Sequence, residues 1–408
     1  MVSLSEETLH LAQSLIRNHP AYNSQGLHES FVLIAEYMRN NNWDSVVVDH
    51  FSAEQIKGLD VYVPVANYSE LYTNYEEVPK TNVLGIIESG KPGPQVILNG
   101  HVDVDYVSTP ERWRDAQGWK SGRIADGCLH GRGATDMLAG LSSLLAVSSS
   151  LARRRQDWRG SLLVQAVTDE EIGGNGTLRA LEFCKNKGLI RKDALAIIAE
   201  PTENTLCFYS LGFLSFKVEL MCSSVHMGIA SDAHRLDKSL CTLLTELKEC
   251  VQRKLSGSKE NYRLSIGTIR AGHDPALPLG SLELCGTAFF PAQDSIKSVK
   301  NALADALTDL LPKNVASNLS FESIAFPGSD SSFASAAQKF YKTNSKNLKQ
   351  GVFPSPCDAR LFEAYDIPSL IFGPGSLAQA HAVDEYILVK EIKTYTRSLE
   401  LALLKYLQ

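Results

Sequence analysis

The chain has 408 residues, of which 44% are hydrophobic and 21% are charged, and this is enough material for one large core or two domains. Its formal net charge of −6 gives no overall basic surface of the kind that binds nucleic acid. No apolar run approaches the roughly 20 residues that cross a bilayer, and the first ten residues lack the pattern of a signal peptide. The eight cysteines form no CxxC pair, so neither disulfides nor a thiolate metal site is indicated. These features predict a cytoplasmic protein with reduced thiols that binds neither nucleic acid nor membrane.

Helical and strand-like patterns alternate in the first two hundred residues. Helices are predicted where apolar residues recur every three or four positions, in residues 6–17, 27–41, 138–155 and 178–187. A valine-rich strand is predicted at residues 45–49. Short runs rich in apolar residues predict four more strands, at residues 96–98, 162–167, 194–199 and 369–372. Because such runs are typical of parallel strands buried on both faces, the sequence predicts an α/β domain.

The pattern changes at about residue 207, where a second set of elements begins. Its predicted order is two strands, a helix, two strands, a helix and a strand, in residues 207–220, 236–254, 263–269, 281–290, 296–311 and 319–324. This block can form a layer of its own. We therefore predict a ferredoxin-like α+β domain, residues 207–324, inserted into an α/β domain formed by residues 1–206 and 325–408.

Residues of the types that can bind metals follow each of the four apolar strands. They are His101, the pair Glu170-Glu171, Glu200 and His381, and Asp136 directly precedes the helix at 138–155. Because the carboxyl ends of parallel strands meet at one edge of a sheet, we expect these side chains to converge. Histidine and carboxylate without cysteine are ligands for zinc and similar divalent ions. Two zinc ions sharing Asp136 would leave room for a water that attacks a carbonyl carbon, and cobalt and manganese are alternative ions.

Two acidic residues beside these ligands have predicted supporting roles. Asp103 lies two positions after His101, on the same side of an extended chain, and can accept the free ring N–H of His101. Glu170 and Glu171 point in different directions, so one can bind metal while the other acts as a general base. Taken singly, each residue has an ordinary interpretation, such as a surface histidine or, for Asp136, a helix N-cap. Their expected convergence favours the metal centre.

Two further residues have more open interpretations. His226 follows a strand of the inserted block, and on sequence alone a surface histidine is the simpler interpretation. Arg360 can pair with a substrate carboxylate through two hydrogen bonds, or it can form a surface ion pair.

Five motifs resemble those of the dizinc amidohydrolase family that contains acetylornithine deacetylase, succinyl-diaminopimelate desuccinylase, aminoacylase and carboxypeptidase G. They are Gly-His-Val-Asp (100–103), Gly-Arg-Gly-Ala-Thr-Asp-Met (131–137), Thr-Asp-Glu-Glu (168–171), Glu-Pro-Thr (200–202) and Gly-Pro-Gly (373–375), the last followed by His381 and by Asp-Glu-Tyr (384–386). The resemblance extends over nearly the whole chain.

The resemblance implies a role for each candidate residue. It assigns His101 and Glu200 to one zinc ion, Glu171 and His381 to the other, and Asp136 to a position between them. Glu170 would be the general base. The inserted domain would be a lid that also forms a homodimer, in which His226 reaches the active site of the partner subunit. Arg360 would bind the α-carboxylate of the substrate.

Departures from the family pattern lie at the position after Met137, which is Leu138 instead of lysine, and in the lid. The lid loop at 271–278 is shorter and lacks an asparagine, and a lid arginine is replaced near Ala288. We therefore predict a zinc-dependent deacylase that hydrolyses the amide bond of an N-acyl amino acid or a related small biosynthetic intermediate. The alternative within the class is a dipeptidase or carboxypeptidase. A non-catalytic binding protein is disfavoured, since Glu170 and every ligand are present.

Overall fold

The computed structural model describes residues 3–65, 72–115, 117–223, 225–231, 234–256, 261–346 and 348–408. Its helices are α1 Leu4–Asn18, α2 Gln25–Arg39, α3 Ala139–Ala152, α4 Asn175–Asn186, α5 Asp237–Lys254, α6 Ile296–Leu310, α7 Ser335–Asn344, α8 Ala359–Ala364 and α9 Val389–Tyr406. Its strands are β1 Ser45–Phe51, β2 Lys80–Glu88, β3 Gln95–His101, β4 Arg123–Ala125, β5 Cys128–His130, β6 Ser161–Val167, β7 Leu195–Ile198, β8 Thr205–Ser210, β9 Gly212–Met221, β10 Arg263–Ala271, β11 Ser281–Phe290, β12 Ala316–Phe326, β13 Ser329–Asp330, β14 Lys349–Phe353, β15 Ser369–Ile371 and β16 Tyr386–Leu388.

The chain divides into two compact units. The first comprises the chain up to Tyr209 together with Asp330–Phe353 and Cys357–Gln408, and the second comprises Ser210–Ser329 with Pro354–Pro356. The predicted extent of the insert, residues 207–324, and its role as a lid and dimer former stay predictions.

A nine-stranded sheet forms the centre of the first unit, in the order β1-β2-β6-β3-β7-β15-β8-β13, with β14 paired to β8. The strands β6, β3, β7 and β15 run parallel, and every residue in them is buried. Two separate hydrophobic clusters cover the two faces of this sheet. The arrangement explains why these strands are apolar throughout and places their carboxyl ends along one edge.

Helix α3 packs in the larger of these clusters, and all of its residues are buried. Ala134–Ala152 is the one segment among the described residues that is long and apolar enough to span a membrane, but 94% of its apolar window is buried inside the protein. Its hydrophobicity is that of a core helix.

Strand β2 is missing from the sequence-based prediction, although it lies between β1 and β6 and is antiparallel to both. Gly85 interrupts the apolar pattern of this strand. A Cβ atom at Gly85 would lie 2.3 Å from the ring of Trp43, so the glycine makes room for the tryptophan. The sequence assigned residues 207–210 to the second set of elements, whereas in the structure they belong to β8, which pairs with β15 in the large sheet. The break that separates β8 from β9 is the single residue Leu211.

The second unit contains the order β9-α5-β10-β11-α6-β12, and its antiparallel sheet has the strand order β10-β11-β9-β12. This connectivity and strand order are those of a ferredoxin-like fold. Leucine, valine and phenylalanine side chains from α5, α6 and one face of the sheet form its core. The predicted fold class, an α/β domain with an inserted ferredoxin-like α+β domain, is confirmed.

Candidate metal centre

The predicted ligands lie at the carboxyl edge of the parallel strands. His101 is the last residue of β3, Glu171 lies in the turn after β6, and Glu200 follows β7. Asp136 immediately precedes α3, and His381 lies in the loop between β15 and β16. Each residue comes from a different segment, so the sheet brings together side chains that are up to 280 positions apart.

Two overlapping groups of possible metal ligands form here, namely His101, Glu170 and Glu200, and His101, Asp136 and Glu171. Within each group the ligand atoms lie within 4.8 Å of one another. His381 extends the second group, because its Nε2 lies 2.9 Å from Oε2 of Glu171.

Asp136 lies between the two histidines. Its Oδ1 is 3.1 Å from Nε2 of His101, and its Oδ2 is 3.5 Å from Nε2 of His381. On the far side of His101, Oε1 of Glu200 lies 4.0 Å from the same Nε2 atom. One carboxylate therefore faces both halves of the site, which is the arrangement that a bridging ligand needs.

The charges and hydrogen bonds of the site fit a cation. Oε1 of Glu200 is buried and has no hydrogen-bond partner among the described residues. Burial raises the pKa of Glu170 well above its ordinary value, and the charges of Glu200 and Asp358 raise it further. Burial also raises the pKa of Glu200, with the charge of Asp136 adding to the effect. Buried carboxylates without sufficient positive charge are costly, so a divalent cation would satisfy both the orphaned oxygen and the crowded charge.

His101 is oriented through its other ring nitrogen. Nδ1 lies 2.8 Å from the main-chain oxygen of Asp103, whereas the Asp103 carboxylate is 4.0 Å away. A carbonyl oxygen can only accept, so Nδ1 carries the hydrogen and Nε2 is left to bind metal. Our expectation that the carboxylate of Asp103 accepts this N–H is wrong. That carboxylate instead accepts the main-chain N–H groups of Glu170 and Glu171, at 3.4 and 3.2 Å, because the turn after β6 brings those groups to it.

The loop of residues 131–136, called here the aspartate loop, is held by a residue that sequence reasoning quoted but gave no role. Glu385 is fully buried and accepts hydrogen bonds from the main-chain N–H groups of Gly133, Thr135 and Asp136 at 3.1, 2.9 and 3.3 Å. It also pairs with the buried guanidinium of Arg132 at 2.8 Å. Burial raises the pKa of Glu385 to about 7, against the opposing charge of Arg132.

Arg132 connects this loop to the histidine ligand. Its Nη2 donates to the main-chain oxygen of His381 at 3.2 Å, and its Nη1 donates to that of Ala382 at 3.4 Å. The Arg132–Glu385 pair thus joins the two segments that carry Asp136 and His381. The sequence signal for it was the Asp-Glu pair at 384–385, four residues after His381.

The turn of residues 168–174, called here the acidic turn, is held by a different network. Asp169 has a positive φ of 64°, a conformation that aspartate tolerates better than most residues. Its carboxylate accepts hydrogen bonds from the hydroxyl groups of Tyr75 at 2.6 Å and Thr168 at 2.8 Å. The buried ammonium group of Lys80 donates to the main-chain oxygens of Tyr75 and Val78. Sequence reasoning missed Tyr75 and Lys80, because they lie outside any motif.

Arg360 is buried, with 6% of its surface exposed, and its Nη2 donates to the main-chain oxygen of Gly173 at 2.6 Å. The side chain is therefore not at the surface. His226 is exposed in the second unit, and its Nδ1 accepts the main-chain N–H of Gly228 at 3.1 Å. Its ring hydrogen is consequently on Nε2 in the neutral form.

The sequence of this chain is similar to the sequences of known hydrolases. A succinyl-diaminopimelate desuccinylase from Rickettsia typhi is 25% identical over 284 residues, which are 66% of this chain and 72% of the relative. The match to the Rickettsia africae enzyme of the same name covers about half of that relative, 48%.

Two solved structures share the fold over almost the whole chain. An M20 family metallo-carboxypeptidase from Sulfolobus solfataricus gives a TM-score of 0.66 at 14% identity, covering 98% of this chain and 99% of its own. A dinuclear metal-binding peptidase of the M20 family from Bacillus subtilis gives a TM-score of 0.60 at 11% identity, covering 99% and 98%.

The fold, the histidine and carboxylate site and these relatives define a metal-dependent hydrolase that acts on amide bonds. Residues 97–405, more than half of the chain, match the peptidase family M20/M25/M40, and the protein belongs to this family. The family resemblance and the predicted enzyme class are confirmed.

Proposed function

We propose that this protein hydrolyses the amide bond of a small N-acyl amino acid or a related biosynthetic intermediate, using two zinc ions. The observation that supports this most directly is that the two carboxylate oxygens of Asp136 face His101 and His381 separately. In this proposal His101 and Glu200 would hold one ion, Glu171 and His381 would hold the other, and Asp136 would serve both. Cobalt and manganese are the alternative ions for the same ligand set.

Bound metal ions would polarise the amide carbonyl and lower the pKa of the attacking water. Proton transfer would be carried out by a side chain of the protein, Glu170. Glu170 lies in the same ligand group as His101 and Glu200, and a carboxylate at this position can take a proton from water and pass it to the leaving amine. Its main-chain N–H is fixed by Asp103.

His226 is proposed to donate a hydrogen bond to the negative charge that develops on the substrate oxygen. The hydrogen bond from Gly228 to Nδ1 supports this role, because it leaves Nε2–H as the donor. We further propose, from the family resemblance, a homodimer in which this donor serves the partner subunit. Mixing Glu170→Gln chains with His226→Ala chains, once subunit exchange is confirmed, should then restore activity. Mixed dimers that stay as inactive as their parents would contradict the role in trans.

Arg360 is proposed to bind the α-carboxylate of the substrate through a guanidinium nitrogen. Arg360→Lys should raise KM with little change in kcat, because the charge is kept while the planar guanidinium geometry is lost. A fall in kcat at unchanged KM would instead indicate that Arg360 supports the acidic turn through Gly173.

The first experiment combines metal content with substrate trials. Protein purified with zinc should contain about two ions per chain, and it should remove the acyl group from members of a panel of acetyl, formyl, succinyl and peptidyl amino acids. Cleavage of the peptidyl members alone would favour the dipeptidase or carboxypeptidase alternative. A metal content near zero would contradict the proposed centre, and a metal-loaded protein that cleaves no amide would contradict the function.

Two adjacent substitutions test the proposed roles. Glu170→Gln should keep the metal and lower the rate by about 10² to 10⁴, the usual contribution of a general base. Glu171→Gln should lose metal. The opposite pattern would show that the two roles are reversed, and Glu111→Gln, at an exposed position, is the control.

The cytoplasmic location is likewise proposed, and cell fractionation tests it. Recovery of the protein in a membrane or secreted fraction would contradict it.

A further inference from the structure

A cavity of about 260 Å³ lies beside the candidate metal centre, at the carboxyl ends of β3 and β6. The residues that line it include Tyr22, Tyr72, Tyr106, Asn23 and Asn74. We call these five residues and the space they line the tyrosine pocket. Glu171 belongs to both the pocket and the metal centre, so a group held in the pocket would lie next to the proposed reaction site.

The rings of the pocket offer a preformed surface for an aromatic group. Tyr22 and Tyr72 pack edge to face with ring centroids 5.1 Å apart, and Tyr72 is only 8% exposed. Tyr106, by contrast, is 56% exposed and lies where the pocket meets solvent. Aromatic side chains favour this edge-to-face packing and contribute large contact areas at little loss of conformational freedom.

The charged side chains that line the pocket are acidic. Asp103, Asp105 and Glu171 line it, and no lysine or arginine is among the described residues that do so. The Asp103 carboxylate is occupied by two main-chain N–H groups, and Asp105 lies 3.6 Å from Nδ1 of His381. A carboxylate placed here would lose its hydration without gaining a lysine or arginine partner among the described lining residues.

We propose that the tyrosine pocket selects substrates with an uncharged aromatic side group and rejects those with a carboxylate at that position. The inference depends on the proposed function, because the pocket is assigned to a side group of the amide substrate. The pocket would restrict the substrates to amides that carry an uncharged aromatic side group. A succinyl group carries a carboxylate at its end and would suit this pocket poorly, although the named relatives are desuccinylases.

Binding, measured separately from turnover, tests the proposal. Calorimetry on metal-loaded Glu170→Gln protein would compare two matched pairs, N-benzoylglycine with N-succinylglycine and N-acetylphenylalanine with N-acetylaspartate. The aromatic member should bind about tenfold more tightly in at least one pair, because a buried ring gains packing that a carboxylate does not. Equal or tighter binding of the carboxylate members in both pairs would overturn the proposal.

Substitutions in the pocket and at a matched surface position test whether the preference for aromatic ligands arises in the pocket. Tyr106→Ala should remove most of the aromatic preference, whereas Phe333→Ala, which truncates a 95% exposed ring outside the lining residues, should leave it. Asn74→Arg should shift the preference toward the carboxylate member by supplying the missing positive charge. If Tyr106→Ala weakened both members of each pair equally, the pocket would not be selective. Because these readouts are affinities, failure of the pocket is distinguishable from failure to hydrolyse amides.

Discussion

The aspartate loop is fixed by one buried ion pair, whereas the acidic turn is fixed by several separate hydrogen bonds. In the first, Glu385 accepts three main-chain N–H groups and the guanidinium of Arg132. In the second, Tyr75 and Thr168 donate to Asp169, and Asp103 accepts from the following two residues. We call the first arrangement, in which one ion pair holds the loop, a concentrated support. Losing either partner of that pair leaves several buried groups unpaired at once. We call the second arrangement, in which separate hydrogen bonds hold the turn, a distributed support. A single substitution there removes only part of the hydrogen bonding.

The concentrated support also connects two proposed ligands. Arg132 reaches the main-chain oxygen of His381 while Glu385 holds the N–H of Asp136. Damage to the pair should therefore disturb both halves of the metal centre. Damage to the acidic turn should affect Glu170 and Glu171 and leave the two histidines in place.

Glu385→Ala should have the largest effect. Removing this carboxylate leaves Arg132 buried without its partner, which costs about 3 to 5 kcal/mol. We expect the free energy of unfolding to fall by that amount and the metal content to drop. Urea unfolding and elemental analysis check both.

The control is Glu111→Ala, at an exposed position, which should change stability by less than about 0.5 kcal/mol. If Glu385→Ala is insoluble, Glu385→Gln keeps one acceptor oxygen and should give an intermediate loss. A Glu385→Gln protein with wild-type stability and metal content would show that the loop does not depend on this pair.

Asp103→Asn should have a smaller effect that is confined to the acidic turn. It weakens the bonds to the N–H groups of Glu170 and Glu171, and hydrogen bonds to a charged group are worth about 1.5 to 3 kcal/mol. His101 should still bind metal, because its Nδ1 donates to the main-chain oxygen of residue 103. The rate should fall at unchanged metal content, whereas Asp115→Asn, which alters a surface ion pair with Arg123, should change neither. Loss of metal from Asp103→Asn would mean that the carboxylate orients His101 after all.

The same comparison shows what the sequence could predict. Apolar strands reveal a parallel sheet, and the residues directly after them reveal where ligands converge, because strand direction alone brings carboxyl ends together. His101, Glu200 and the Glu170-Glu171 pair were found in this way. Which atom of Asp103 faces His101 could not be read from spacing, since the side chain and the carbonyl of one residue are both within reach.

The supporting residues were harder to find for a different reason. Tyr75 and Lys80 act across more than 85 positions of sequence on a single aspartate, and no local pattern distinguishes a tyrosine that donates to a buried acid from one that fills a core. Strand β2, which begins at Lys80, was missed because Gly85 breaks its apolar run. The distributed support is thus the part of the site that needs the tertiary structure.

Tyr75→Phe should give the smallest of the three effects and is the sharpest test of distributed support. It removes one hydroxyl, which donates to Asp169 and accepts from Asn175, while Thr168 and the charge of Lys80 remain. The loss should be about 1.5 kcal/mol, at the lower end of the range for a hydrogen bond to a charged group. Tyr37→Phe is a matched control, because the Tyr37 hydroxyl donates to Glu7 at the same distance of 2.6 Å but touches no proposed site residue. Both variants should lose similar stability in urea unfolding, and only Tyr75→Phe should lower kcat, with metal content unchanged. If the two variants retained equal kcat, the Tyr75–Asp169 bond would stabilise the fold without positioning Glu170. A loss of metal as large as that of Glu385→Ala would show instead that the acidic turn also fails as a unit.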